Sequence, residues 1–162
     1  MADDRVLFEK LTLEGFMSGL SWLTILNKRD NFRAAFRNFE PAAVARFGAR
    51  DVSRLMGDAG IVRNRAKIDA TINNARRYAA LVAEFGSFAA YAWGYEPKRP
   101  SAGVPPEAVA MSKDLRKRGW GFVGPTTVQS FMQAMGLVND HVRGCAAGAE
   151  VTRLRKEFVR PR

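Results

Sequence analysis

Residues 118–127 of the sequence read RGWGFVGPTT, a glycine-rich turn between two stretches that both have helical periodicity. The first stretch covers about residues 107–118 and the second about 125–135, where Pro125 takes a position that helices tolerate. Glycines in so short a turn let backbone N–H groups crowd together and point outward. The following helix adds the positive end of its dipole, so the turn predicts a site for an anionic oxygen.

Side chains around this turn add hydrogen-bond donors and positive charge. Thr126 and Thr127 supply hydroxyl groups, and Lys113, Lys117 and Arg118 supply charge from the preceding helix. Two helices joined in this way form a helix-hairpin-helix element, which binds the DNA backbone without reading the base sequence. An ordinary corner between two helices, with glycines for close packing, explains the same spacing equally well.

Outside the turn, the hydrophobic pattern is helical nearly everywhere and no stretch alternates with period two, so the sequence predicts an all-α fold. We expect helices at about residues 4–18, 22–32, 41–47, 51–56, 64–84 and 87–93, with Ser21 as an N-cap. Residues 95–106 contain four prolines and predict a loop. Residues 1–145 therefore form one helical domain, and residues 146–162 form a basic tail that we expect to be partly disordered.

The chain of 162 residues carries 26 lysines and arginines against 16 acidic residues, and 47% of its residues are hydrophobic. This composition allows a sizeable core and excludes a disordered chain. The second half carries most of the excess positive charge, which favours a polyanionic partner, although a basic surface that only aids solubility has the same signature. The acidic N-terminus, the single Cys145 and the lack of an apolar span predict a cytoplasmic protein without a membrane segment.

One acidic residue stands out in the first predicted helix. Glu14 lies three residues after Leu11 and seven after Leu7, which turns its carboxylate toward the apolar side. A buried carboxylate needs a partner, either in the protein or in a ligand. A glutamate at the helix edge that reaches solvent or an arginine is the more ordinary interpretation.

His141 and Cys145 are the only histidine and cysteine in the sequence, and their spacing suits two zinc ligands on one helical turn. A structural zinc site needs four ligands, so a capping histidine and a buried thiol explain the pair as well. The sequence contains no P-loop and no GxGxxG motif, and one histidine and one cysteine leave little for a hydrolytic triad.

Three blocks of sequence, taken together, resemble the DNA-3-methyladenine glycosylase I (Tag) family. They are LFEKLTLEGFMSGLSWLTILNKRDNFRAAF at 7–36, DAGIVRNRAKIDATINNAR at 58–76 and SKDLRKRGWGFVGPTTVQSFMQAMGLVNDHVRGC at 112–145. The resemblance covers about residues 6–145. It implies a helix-hairpin-helix glycosylase fold and excision of N3-methyladenine from alkylated double-stranded DNA by a monomeric enzyme.

The resemblance also implies roles for individual residues. Glu14 would hydrogen-bond the edge of the flipped base, and Trp22 would form a wall of the same pocket beside Ser21. Residues implied to lie against the DNA, in the hairpin or near the flipped nucleotide, are Gly19, Leu20, Lys117, Arg118, Gly121, Gly124, Thr126, Thr127 and Ser130. No lysine occupies the hairpin turn, which predicts hydrolysis rather than Schiff-base chemistry.

Two further assignments follow from the resemblance. His141 and Cys145 match the last two zinc ligands of the family, and we expect no other cofactor. Asp140 matches the neighbourhood of a catalytic aspartate in the wider superfamily, and we rank it below Glu14 as a catalytic residue.

The sequence departs from the family at its start. Family members begin with a segment resembling RCPW…YHDxEWG, which supplies the first zinc ligands and aromatic side chains that stack on the base, and this chain starts just downstream of it. Weaker zinc and base binding are therefore expected. The alternative function is a catalytically impaired DNA-binding remnant, and a third is a helical interaction domain unrelated to DNA.

Overall fold

The computed structural model describes residues 1–98, 103–142 and 144–161, and these ranges contain helices and loops but no strand. The helices are α1 (Asp4–Met17), α2 (Trp22–Leu26), α3 (Arg29–Ala35), α4 (Pro41–Val44), α5 (Ala49–Gly57), α6 (Arg65–Phe85), α7 (Phe88–Trp93), α8 (Pro106–Lys117), α9 (Pro125–Met135) and α10 (Ala146–Glu157), with a 3-10 turn at Arg37–Phe39. The predicted all-α fold is confirmed. Within the described ranges, no helix has both the length and the apolar character needed to cross a membrane.

Local capping explains where several helices begin. The side chains of Asp3, Ser21, Asn64 and Ser87 each accept a hydrogen bond from a backbone N–H in the first turn of the helix that follows. Such caps satisfy N–H groups that have no partner inside the helix. The predicted N-cap at Ser21 is confirmed.

Helix α1 forms the centre of the fold. All its residues from Leu7 to Phe16 are buried, including polar ones, because α2, α6, α7 and α9 surround it. Phe16 packs against Phe32 with a ring-centroid distance of 4.8 Å, and Phe8 packs against Tyr78 at 5.7 Å. Since α1 contributes to an aromatic cluster at each end, it is more deeply buried than a one-sided amphipathic pattern predicts.

The structure differs from the sequence prediction in two places. The single helix expected over 22–32 is two helices, and Lys28 at the break donates hydrogen bonds to the carbonyls of Ala59 and Gly60. The tail expected to be partly disordered instead forms α10, after which Phe158 packs on Trp93 at 4.7 Å. Residues 99–102 of the predicted loop lie outside the described part of the chain.

The C-terminal segment is also held by charge. Arg155 and Arg160 both contact the carboxylate of Glu96, at 2.7 and 2.9 Å. These long-range contacts explain why a segment without a clear apolar face is ordered: its partners lie about 60 residues earlier in the chain.

Candidate active site

Glu14 lies near the C-terminal end of α1 and only 4% of its surface is exposed. Its Oε1 is 2.7 Å from the ammonium of Lys10, whereas its Oε2 is buried without a hydrogen-bond partner among the described residues. Of the two interpretations that the spacing allowed, the structure therefore has the buried carboxylate and not the more ordinary one at the helix edge. A buried acceptor without a partner is unfavourable, and a ligand with a suitable donor would remove that penalty.

Trp22 lies beside this ion pair because α2 begins one short turn after α1 ends. The Lys10 ammonium is 3.5 Å from the centroid of the Trp22 ring, and the ring is partly exposed. The structure thus brings Glu14 and Trp22 into contact with the same cation. The sequence analysis missed Lys10, although its position four residues before Glu14 places both side chains on the same helical face.

The turn between α1 and α2 reaches the surface next to this site. Gly19 has a φ of +78°, and Leu20 is an exposed apolar residue. Lys67 of α6 holds the start of the turn by donating hydrogen bonds to the carbonyls of Phe16 and Ser18, at 2.8 and 2.6 Å. Burial lowers the pKa of the Lys67 ammonium from its ordinary value.

Ser21 contributes to the site by capping the helix that carries Trp22. Its Oγ accepts a hydrogen bond from the N–H of Thr24 at 3.2 Å and lies 2.8 Å from the Thr24 hydroxyl. It therefore caps α2 and fixes the start of the helix that carries Trp22.

The predicted hairpin between α8 and α9 is held by two side chains of α6. Asn73 donates to the carbonyl of Gly119, and Asn74 both accepts from the N–H and donates to the carbonyl of Gly121, at 2.8 and 3.0 Å. Gly119 has a φ of +79°, so a side chain there would strain the backbone, and the flexible guanidinium of Arg77 that lies against it would have to move. These contacts fix the hairpin to the core.

The hairpin also touches the helix that carries Glu14. A Cβ added at Gly15 would lie 3.2 Å from the Cβ and the carbonyl oxygen of Phe122, so the two backbones approach closely at this point. Phe122 has a φ of +55°, an uncommon conformation for a residue with a bulky side chain, and is exposed. The residue that follows Glu14 in α1 therefore packs directly against the backbone of the hairpin.

The N-terminus of α9 carries the features of the predicted anion site. Gly124 is its N-cap, and within the described part of the chain no side chain caps its first turn. Thr126 is exposed and Thr127 is partly exposed, as is Ser130 in the second turn. Lys113 and Lys117 are exposed on α8, which precedes the hairpin.

Arg118 does not share the exposure of Lys117. Its guanidinium pairs with Glu84 at 2.6 Å and with Asp114 at 2.7 Å, and these hydrogen bonds raise its pKa above the ordinary value. All three nitrogens of its guanidinium have partners within the protein, and its placement with the DNA contacts stays a prediction. Its role here is to join α8 to α6.

Asp140 is exposed beyond the end of α9 and accepts a hydrogen bond from Gln133 at 2.7 Å. The neighbouring His141 contacts Asn139 rather than Asp140: the Nδ1 of His141 is 2.7 Å from the Oδ1 of Asn139. His141 and Cys145 both lie near Gly148.

A structural zinc site needs four ligands. Among residues 1–98, 103–142 and 144–161, no three His, Cys, Asp or Glu side chains are arranged to hold a metal ion. His141 and Cys145 alone therefore do not fit a structural zinc site.

Comparison with known proteins places this geometry in a family. The family model described as methyladenine glycosylase matches residues 1–148. The chain is 46% identical over 153 residues to DNA-3-methyladenine glycosylase 1 of Escherichia coli, covering 88% of this chain and 82% of the relative. It is 39% identical over 153 residues to DNA-3-methyladenine glycosylase of Haemophilus influenzae, and the match covers 88% of this chain and 83% of that relative.

A solved structure has the same fold. The crystal structure of a variant of 3-methyladenine DNA glycosylase I (TAG) in complex with 3-methyladenine superposes with a TM-score of 0.86 at 38% identity, covering 91% of this chain and 85% of that one. Since the family model and these relatives span most of the sequence, the chain belongs to the methyladenine glycosylase family.

Proposed function

We propose that this chain is a monofunctional glycosylase that excises N3-methyladenine from alkylated double-stranded DNA. The observation that carries the proposal is the buried carboxylate of Glu14, one oxygen of which lacks a partner among the described residues. The ion pair of this carboxylate lies against the ring of Trp22, and the next residue, Gly15, lies against Phe122 of the hairpin. The relatives named for this activity support the reaction, and one related structure contains 3-methyladenine. The single cysteine supports a reducing cytoplasmic location, where the chain acts as a monomer.

The hairpin and the start of α9 bind the DNA backbone. Outward N–H groups at Gly124 and the first turn of α9, with the hydroxyls of Thr126 and Thr127, face a phosphate. Lys117 adds an exposed positive charge. These contacts position the duplex without reading its sequence, so recognition of the lesion depends on the base pocket.

The damaged nucleotide leaves the stack and enters the pocket between Glu14 and Trp22. Flipping is least costly at a damaged pair, which supplies part of the selectivity. Gly19 and Leu20, exposed in the turn before α2, lie against the duplex beside the space that the nucleotide vacates. Trp22 stacks on the base, and Glu14 accepts a hydrogen bond from its donor edge.

The reaction needs little acid catalysis, because methylation at N3 gives the adenine a positive charge and makes it a good leaving group. The bond between the sugar C1′ and the base nitrogen breaks, and its electron pair neutralises the departing base. Water then adds to C1′ and loses a proton. A carboxylate held in a desolvated site stabilises the positive charge that develops on the sugar, and we assign that role to Glu14, whose burial supports it.

The test is release of free N3-methyladenine from methylated duplex DNA by the wild type, Glu14→Gln and Asp140→Asn. Removing a preorganised electrostatic group typically costs a factor of ~10²–10³ in rate. We expect a loss of about 100-fold or more for Glu14→Gln and of less than about threefold for Asp140→Asn, whose carboxylate is exposed. Thermal unfolding of both variants checks that they are folded.

Two results would contradict the proposal. Full excision by Glu14→Gln would remove Glu14 from the reaction, and a larger loss in Asp140→Asn would reverse the ranking. DNA binding without any base release by the wild type would support the alternative of a catalytically impaired DNA-binding protein.

A further inference from the structure

The ammonium of Lys10 contacts both Glu14 and Trp22. It lies 2.7 Å from Oε1 of the carboxylate and 3.5 Å from the centroid of the indole ring. The side chain is only 10% exposed, so most of its hydration has been replaced by these two contacts. An ion pair and a cation–π contact on one ammonium are both stronger when water is excluded.

These are the same two interactions that a flat, positively charged base makes in such a pocket. A cationic purine stacks its face on an aromatic ring and directs its donor edge to a carboxylate. The ammonium and the base cannot both lie against the same face of the ring at this distance. Lys10 therefore occupies one face of Trp22 and one of the two carboxylate oxygens that the proposed function assigns to the substrate, while Oε2 stays without a partner among the described residues.

We propose that Lys10 is a resident cation of the base pocket, which an entering base must displace from Glu14 and Trp22. This inference rests on the proposed function, since it assumes that the base binds between these two residues. Lysine suits the role because its single ammonium sits on a flexible stem and exchanges its contacts more readily than a bidentate guanidinium. The partly exposed ring of Trp22 leaves a side from which the base can enter.

The location of the ion pair within one helix supports this role. Lys10 and Glu14 are four residues apart on α1, so breaking their contact separates no two elements of the fold. The order of the two residues, with the lysine before the glutamate, is also the weaker one for helical pairs. Displacement of the ammonium is therefore a local change of side-chain conformation.

Displacement has different consequences for different bases. A cationic base restores a positive charge between the carboxylate and the ring, whereas a neutral base leaves Glu14 buried without a positive partner. Lys10 thus lowers the affinity of the pocket for every base. Only a base with a positive charge replaces the charge that Glu14 loses when Lys10 is displaced.

The first experiment measures binding of N3,N9-dimethyladenine by isothermal titration calorimetry, because this base keeps the permanent positive charge of the lesion, which free N3-methyladenine loses. The variants are Lys10→Met, which keeps the length of the side chain and removes the charge, Lys10→Arg, which keeps the charge, and Glu14→Gln. Lys156→Met, at an exposed lysine on α10, is the matched control. We expect Lys10→Met to bind about tenfold more tightly than the wild type, by loss of a desolvated cation–π contact and an ion pair. Lys10→Arg should bind more weakly than the wild type, because a guanidinium is displaced less readily than an ammonium, and the control should stay within about threefold.

The outcomes separate this inference from the proposed function. Binding by the wild type that Glu14→Gln weakens, together with no gain or a loss in Lys10→Met, overturns the displacement of Lys10 and leaves the pocket in place. Binding by Lys10→Met but not by the wild type supports displacement. Absence of binding by both proteins overturns the pocket and the inference together.

A second measurement uses the wild-type chain and does not depend on a variant folding. Limited acetylation with an activated acetyl ester, followed by mass spectrometry of the peptides, reports the reactivity of each lysine amine. We expect saturating N3,N9-dimethyladenine, the permanently cationic base, to raise acetylation of Lys10 severalfold, because displacement exposes its amine, and to leave Lys156 unchanged. A fall in Lys10 acetylation would mean that the base covers the ammonium without displacing it, and would overturn the inference.

Discussion

Glu9 and Glu14 are two buried carboxylates on the same helix, and they differ in the origin of their partners. Oε1 of Glu9 accepts hydrogen bonds from Arg29 and Arg33 of α3, at 2.7 and 3.0 Å. Oε1 of Glu14 contacts Lys10 of its own helix at 2.7 Å. Each carboxylate has a second oxygen without a partner among the described residues, so it is the first oxygen that distinguishes them.

The difference shows which charges the fold uses and which it leaves for the substrate. The two arginines join α3 to α1, so the charge of Glu9 contributes to tertiary structure. The ion pair of Lys10 and Glu14 lies within α1, and the same ammonium contacts α2 only through the ring of Trp22, so the charge of Glu14 remains available to a ligand at little cost to the fold. Burial alone does not distinguish a structural carboxylate from a functional one; the element that supplies its partner does.

The same contrast holds for two neighbouring cations at the hairpin. Arg118 pairs with Glu84 and Asp114 and joins α8 to α6, whereas Lys117 is exposed at the end of α8. Although the two residues are adjacent in sequence, we expect Arg118 to act on stability and Lys117 to act on DNA binding.

The largest effect expected from the difference between Glu9 and Glu14 is a loss of stability in Glu9→Gln. Glu9→Gln removes the charge that holds Arg29 and Arg33, and breaking a buried ion pair typically costs ~3–5 kcal/mol. Because these arginines are 35% and 36% exposed and can regain hydration, we expect the free energy of unfolding to fall by about 2 kcal/mol. Urea denaturation followed by circular dichroism measures it.

Activity and a surface control complete that test. The folded Glu9→Gln variant should excise N3-methyladenine at nearly the wild-type rate. Asp30→Asn removes a carboxylate that also pairs with Arg33 but is 93% exposed, and should change stability by less than about 0.5 kcal/mol. A large loss of excision in folded Glu9→Gln would break the distinction between the two glutamates.

A smaller effect, on the excision rate, is expected at Gly15, where α1 packs against the hairpin. Gly15→Ala places a Cβ 3.2 Å from the Cβ and the carbonyl oxygen of Phe122, neither of which is a flexible end of a side chain. Alanine gains about 1 kcal/mol of helix propensity, which offsets the steric cost, so stability changes little. The shift of the hairpin relative to Glu14 should lower kcat/KM for excision about tenfold, since small misplacements at a site are costly.

The matched control is Gly57→Ala, at the end of α5, where an added Cβ meets no described atom within 4 Å. It should leave excision unchanged. If Gly15→Ala behaved like this control, the hairpin and the base pocket would not be coupled through the close approach at Gly15.

The smallest expected effect concerns the two cations at the hairpin. Lys117→Ala should weaken binding to undamaged duplex about fivefold near physiological salt and reduce the slope of log K against log salt by about 0.9. Arg118→Ala should leave that slope unchanged and lower the free energy of unfolding by about 1 kcal/mol. Fluorescence anisotropy at several salt concentrations measures the slopes, and equal slopes for the two variants would contradict the contrast.

Features that depend on neighbouring residues could be predicted from the sequence. The start of α2 at Ser21, the long α6, and the turn between α8 and α9 all follow from caps, glycines and helical periodicity. The burial of Glu14 follows from its spacing to Leu7 and Leu11. The resemblance of three sequence blocks to one family supplied the fold and the reaction, which periodicity alone does not specify.

Features that depend on distant partners were decided by the tertiary structure. Periodicity could not show that α1 is buried on every side, that Lys10 lies over Trp22, or that Arg118 is held by Glu84. The helix after Cys145 was missed because Glu96 and Trp93 lie far back in the chain. The sequence by itself determined most of the helices, the hairpin and the spacing that puts Glu14 on an apolar face, because these depend on neighbouring residues. Only the packing of the helices against one another decided which charges are paired within the fold and which remain for the DNA, because the partner of a charge depends on distance in space.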